Sequence, residues 1–114
     1  MKKLIAAVLL LGTLGLAACG APKAVYRKIS AAQAHQMMRE NSGYILLDAR
    51  TDEEYQEKHI EGAIVIPEYE IGERAAAALP DKHALILVYC RSGRRSAIAA
   101  NALVALGYTH VPRI

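Results

Sequence analysis

Three short runs of uninterrupted apolar residues, Ile45-Leu46-Leu47, Ile64-Val65-Ile66 and Leu85-Ile86-Leu87-Val88-Tyr89, alternate with stretches that carry helix-start signals. A strand with one wet face alternates apolar and polar residues, whereas a run that is apolar throughout needs cover on both sides. Strands of this kind separated by helices imply a parallel sheet with helices on each face. Ser30-Ala31-Ala32-Gln33 and Thr51-Asp52-Glu53-Glu54 read as capping boxes. The first opens a helix with Ala34, Met37 and Met38 facing inward, ending near Asn41-Ser42-Gly43, and the second opens a short helix through Lys58. Glu68 to Leu79, between Pro67 and Pro80, reads as a third helix, and Ser96 to Leu106, stopped by Gly107, as a fourth. Val25 to Ile29 is expected as the first strand and His110-Val111 as a clipped last one, since Pro112 cannot donate to a ladder. Ligands of such sheets sit beyond the carboxyl ends of the strands, where Asp48 and Cys90 both fall.

Cys90 opens the run Cys90-Arg91-Ser92-Gly93-Arg94-Arg95-Ser96 between the longest apolar strand and the last helix. The first N–H groups of that helix are unpaired and favour negative charge in the loop before it. Gly93 permits a tight curl of main-chain donors, and Arg91, Arg94 and Arg95 add positive charge. The Cys90 thiol is therefore expected to ionise below its free value of about 8.5 and to act as a nucleophile at neutral pH.

The amino-terminal segment reads differently from the rest. Lys2 and Lys3 precede an apolar core from Leu4 to Leu16, and the segment ends in Leu16-Ala17-Ala18-Cys19. Residues 1–18 are expected to be a secretory signal, too short for a membrane span. The tetrapeptide resembles the bacterial lipobox, which implies lipidation at Cys19, and Gly20 after it points to the outer membrane. Residues 19–24 then form a tether and residues 25–114 one domain, facing the periplasm. Without Lys2 and Lys3 the 14 lysines and arginines fall by two to 12, against 11 acidic residues, a net charge of about +1. That balance, with Phe and Trp absent, argues against a nucleic-acid partner. Cys90 is left without an intrachain partner, and no Cys/His cluster has metal-ligand spacing.

From Ile29 to Val111 the chain resembles the rhodanese family of sulfurtransferases in its single-domain form. The motifs that carry the likeness are Asp48-Ala49-Arg50 with Glu54-Tyr55, His59-Ile60-Glu61-Gly62-Ala63-Ile64 ending in Ile66-Pro67, the Cys90 loop, and Gly107-Tyr108. The resemblance implies a three-layer α/β fold with a mostly parallel central sheet. It also implies that Cys90 takes sulfur from an anionic donor such as thiosulfate and passes it, as a persulfide, to a thiophile such as cyanide, without metal or cofactor. Arg91, Ser92, Gly93, Arg94, Arg95 and Ser96 would bind the donor. Arg50 is expected to pair with Glu54 one helical turn on, Asp48 to fix the strand-helix loop, and His59 to pack and hydrogen-bond. Thiolate phosphatases and arsenate reductases place an arginine six positions after the cysteine; here that position is Ser96 and the arginine falls at Arg95. Phosphatase or reductase chemistry, and a non-catalytic persulfide or anion carrier, stand as the alternatives. Family members continue past the last strand into a further helix, whereas this sequence stops at Ile114. Apolar surface is therefore expected to lie uncovered, met by self-association or reflecting a shortened reading frame.

Overall fold

The computed structural model describes residues 26–114. The expected signal segment, Cys19, Gly20, the tether and Val25 of the first strand lie outside the described residues. Five strands, β1 (Tyr26–Lys28), β2 (Ile45–Asp48), β3 (Ile64–Val65), β4 (Ile86–Tyr89) and β5 (Val111–Arg113), form one sheet in the order β1-β5-β4-β2-β3. Every pairing is parallel. The helices are α1 (Ala31–Glu40), α2 (Asp52–Glu57), α3 (Ile71–Ala78) and α4 (Arg94–Ala105).

The uniformly apolar strands divide their side chains by a period of two. Leu47, Ile86 and Val88 pack with Ile71, Ala75, Ala99, Ala100 and Leu103 of α3 and α4. Leu46, Leu87 and Tyr89 pack with Ala34, Met37 and Met38 of α1 and Tyr55 of α2. Each face is thus covered, as the unbroken apolar runs require. The sheet residues Leu46, Leu47, Leu87, Val88 and Val111 are all buried. Among the described residues the exposed large apolar side chains are Ile60, Ile64, Tyr69, Ile98 and Leu106.

Local signals explain most element ends. The Ser30 box is complete, with Gln33 N–H donating to Ser30 Oγ at 3.0 Å and Ser30 N–H donating to Gln33 Oε1 at 2.8 Å. Three boundaries differ from the sequence reading. The third helix is split into a 3-10 turn at Glu68–Glu70 and α3, because Pro67 precedes it and no side chain caps it. The fourth begins at Arg94, two residues early, since Gly93 with φ +98° serves as its N-cap. The last strand runs through Pro112 to Arg113 and lies between β1 and β4. Pro112 has no N–H to give, so β5 meets β4 at the single register pair Val88–Arg113. Ile86 N–H to His110 O at 2.9 Å and Ile114 N–H to Val88 O at 2.8 Å hold it on either side. Ile29 N–H donates to Arg113 O at 2.9 Å on the β1 side.

Candidate active site

Cys90 stands immediately after β4, half-buried and outside any disulfide. Its Sγ accepts the main-chain N–H of Gly93 at 3.0 Å and that of Ser96 at 3.2 Å. The positive φ of Gly93 turns the chain sharply enough for both donors to face one atom. Burial opposes ionisation of the thiol. The Ser96 hydroxyl and the main-chain N–H groups of Ser96, Gly93 and Ser92 outweigh it, and the Cys90 pKa lies below its ordinary value.

Ser96 is fully buried, and its hydroxyl lies 3.1 Å from both Gly93 O and Ile114 O. The hydroxyl has one proton to donate, and these two oxygens are its acceptors at hydrogen-bond distance.

The arginines divide in a way the sequence did not indicate. Arg95 donates to Glu54 through Nη1 at 2.8 Å and Nη2 at 3.0 Å, a two-pronged pair joining α4 to α2. Glu54 is held down to about 2, first by that bond and then, against burial, by the Arg95 charge and the Thr51 hydroxyl. Arg95 thus shares its charge between the Glu54 carboxylate and the Cys90 sulfur. Arg94 is exposed on the first turn of α4 and lines neither cleft described below. Arg91 remains: it is exposed, and it lines both clefts together with Cys90.

Arg50 meets two carboxylates. Asp48 accepts from Arg50 Nη2 at 2.8 Å and Nε at 3.0 Å, and Glu54, one helical turn on, forms an ion pair with Arg50 Nη1 at 3.9 Å. The helical spacing gives the latter pair, and the shorter bonds go to Asp48 because it is fully buried and must be satisfied where it lies. Arg50 N–H and the Tyr89 hydroxyl also donate to Asp48, each at 2.9 Å. Asp48 thus gathers donors from the strand-helix loop and from β4. Arg50 Nη2 reaches on to Lys58 O at 2.6 Å, and Ile60 N–H donates to Tyr89 Oη at 3.1 Å. The segment Lys58–Ile60 is tied in this way beside Cys90. His59 stacks on Tyr55 with ring centroids 3.6 Å apart, and its Nδ1 lies 2.8 Å from Tyr55 O.

Two clefts open at Cys90. One, of about 250 Å³, is lined by Arg50, Lys58, His59, Ile60, Tyr89, Cys90 and Arg91. The other, of about 260 Å³, is lined by Lys28, Cys90, Arg91, Ser92, Gly93, Arg113 and Ile114. Their cationic walls suit a small anion. A larger concavity of about 550 Å³, bounded by residues such as Tyr44, His83 and His110, does not include the thiol. Tyr89, Lys28, Lys58, Ile60, Arg113 and Ile114 are the lining residues that sequence reasoning missed. Only Tyr89 gave a signal, as a polar-tipped residue closing an otherwise aliphatic strand directly before the cysteine.

A parallel α/β sheet with a cysteine held by main-chain donors at the carboxyl end of its central strand is the arrangement of a rhodanese-like α/β domain. The rhodanese-like domain family matches residues 30–114, and the chain belongs to that family. It is similar to thiosulfate sulfurtransferase PspE of Escherichia coli (strain K12), 49% identical over 65 residues that make up 57% of this chain and 62% of that one. It is also similar to thiosulfate sulfurtransferase GlpE of Coxiella burnetii (strain RSA 331 / Henzerling II), 30% identical over 87 residues, 76% of this chain and 78% of that one. Among solved structures, a rhodanese with anions from E. coli superposes with a TM-score of 0.58 at 46% identity, covering 61% of this chain and 82% of that one.

Proposed function

We propose that this chain is a sulfurtransferase that carries sulfane sulfur on Cys90, with thiosulfate as donor and cyanide or another thiophile as acceptor. The observation that carries the reading is the pair of main-chain N–H groups on Sγ. They stabilise a thiolate before reaction and a persulfide anion after it. The thiolate attacks the outer sulfur of thiosulfate; the new S–S bond takes that sulfur, and the electron pair of the broken bond leaves with sulfite. Cyanide then attacks the terminal sulfur of the persulfide, thiocyanate departs, and the thiolate is restored, a two-stage covalent cycle without net redox change. Arg91 gives the incoming oxyanion a charged partner, and the cationic cleft beside it concentrates anions at the sulfur. Thiosulfate sulfurtransferase activity in the names of the relatives agrees with this reading.

The working place of the domain follows from the amino-terminal residues: we propose export, cleavage before Cys19, lipidation of that cysteine and an outer-membrane position facing the periplasm. Mass spectrometry of the mature amino terminus tests it; an unmodified Cys19 or an uncleaved Met1 would count against it.

The activity is tested by incubating the purified chain with thiosulfate and then cyanide. Thiocyanate should form, intact mass should rise by one sulfur after the first step, and Cys90→Ser should abolish both. Release of phosphate from an aryl phosphate without thiocyanate would favour phosphatase chemistry instead, and a sulfur adduct without turnover would favour a carrier.

A further inference from the structure

Sequence reading places nothing chemical after Gly107-Tyr108, yet the structure brings the last strand onto the loop that holds the sulfur. Arg113 Nη1 donates to Gly93 O at 3.0 Å, and Gly93 is the residue whose N–H donates to Cys90 Sγ. A Cβ added to Gly93 would stand 3.1 Å from Arg113 Nη1, so the guanidinium fills the space a side chain would take. Ile114, the next residue, presents its main-chain oxygen to Ser96 Oγ at 3.1 Å, and Ser96 supplies the second N–H to the sulfur. Arg113 is itself held: its Cζ lies 5.8 Å from the centre of the Tyr26 ring, and its backbone is paired with Lys28 of β1 and Val88 of β4. Its Nε is buried without a hydrogen-bond partner, an unfavourable arrangement that the bond to Gly93 helps offset.

We propose that Arg113 is a positioning residue for Cys90, fixing the Gly93 turn so that the loop N–H groups converge on the sulfur. This deepens the sulfurtransferase reading and rests on it for its biological meaning, though not for its test. Gly93 O also accepts from Ala97 N–H at 3.2 Å, the first helical bond of α4. A charged donor on the same oxygen, beside the Ser96 hydroxyl that lies 3.1 Å from it, keeps that turn from rotating. Besides Arg113, the charged and titratable groups lining the clefts at Cys90 are Lys28, Arg50, Lys58, His59, Tyr89 and Arg91. Arg95 also acts on the sulfur through its charge, but it is engaged by Glu54.

The experiment is the pH dependence of iodoacetamide alkylation of Cys90 in the full chain, for wild type, Arg113→Met, Arg113→Lys and Arg27→Met. Arg27 is exposed on β1 and serves as the control for loss of one positive charge. Arg113→Met should raise the alkylation midpoint by roughly 0.5 to 1 pH unit, the scale of one weakened donor to a charged group. Arg113→Lys, which retains charge without the fork, should raise it less, and Arg27→Met should leave it in place. If Arg113→Met proves unfolded by circular dichroism, Arg113→Lys alone decides, with a smaller rise in the same direction. Folded Arg113 variants with the wild-type midpoint, or an equal rise in Arg27→Met, overturn the proposal. Failure of wild-type Cys90 to take sulfur from thiosulfate would instead remove the functional reading and leave the positioning result standing.

Discussion

Replacing Glu54 with Gln breaks the bridge between α2 and α4 while preserving size and one acceptor oxygen. In the native chain both guanidinium prongs of Arg95 end on the two carboxylate oxygens at 2.8 and 3.0 Å. Exposed ion pairs contribute about 0.2 to 1 kcal/mol, and two-pronged charge-assisted geometry moves a pair toward the upper end. The side chains of Glu54 and Arg95 keep 28% and 22% of their exposure, so solvent screens them, and the expected loss is about 1 kcal/mol. Because the carboxyl is held down to about 2 from an ordinary 4.5, its contribution is complete above the unfolded value. It declines as pH falls below about 4.5 and is gone once pH has passed through about 2. Urea titrations of wild type and Glu54→Gln should therefore differ at pH 7 by about 1 kcal/mol, the gap narrowing as pH falls from about 4.5 to 3. Freed of its partner, Arg95 should also strengthen thiosulfate binding, seen as a lower KM. A stability gap that stays constant from pH 7 to pH 3, or no gap at all, would refute the reasoning.

Other changes probe the loop and its wall. Gly93→Ala places a Cβ 3.1 Å from Arg113 Nη1 and puts an L-residue at φ +98°, which costs roughly 1 to 2 kcal/mol. Its urea midpoint should fall and its thiol titration rise together. Tyr89→Phe removes a hydroxyl that donates to Asp48 and accepts from Ile60 N–H, a loss of about 1 to 2 kcal/mol. Because that hydroxyl ties down the cleft wall rather than the sulfur, the variant should raise the thiosulfate KM with little change in the Cys90 alkylation midpoint.

What could be read from the chain alone was what depends on neighbours in sequence. The apolar runs announced a sheet buried on both faces, and Leu46 and Leu47 do point to opposite cores. Ser30 and Gln33 cap each other three residues apart, and the nucleophile sits beside the glycine that curls its loop. What could not be read was partner choice over distance. Spacing paired Arg50 with Glu54, which it meets at 3.9 Å, but gave no sign that the tertiary fold would add Arg95, 41 residues away, to Glu54 and the buried Asp48 to Arg50 at shorter range. The same carboxylate does not accept from Thr51 N–H, so the Thr51 box stays incomplete, with Glu54 N–H donating to Thr51 Oγ at 3.1 Å and the Thr51 hydroxyl donating to Glu54 Oε2 at 3.2 Å. Arg113 was invisible for a like reason: Pro112 beside it suggested a strand ending early, and only the sheet order brings residue 113 to residue 93.

The account turns on a folded loop lowering the proton affinity of a single sulfur, and the direct measurement is thiolate absorbance of Cys90 against pH in native and urea-unfolded protein. The native midpoint should lie below the unfolded one, which should fall near the free-thiol value of about 8.5. A native midpoint equal to or above the unfolded value would contradict it, because the N–H groups of Gly93 and Ser96 would then give the sulfur no net help.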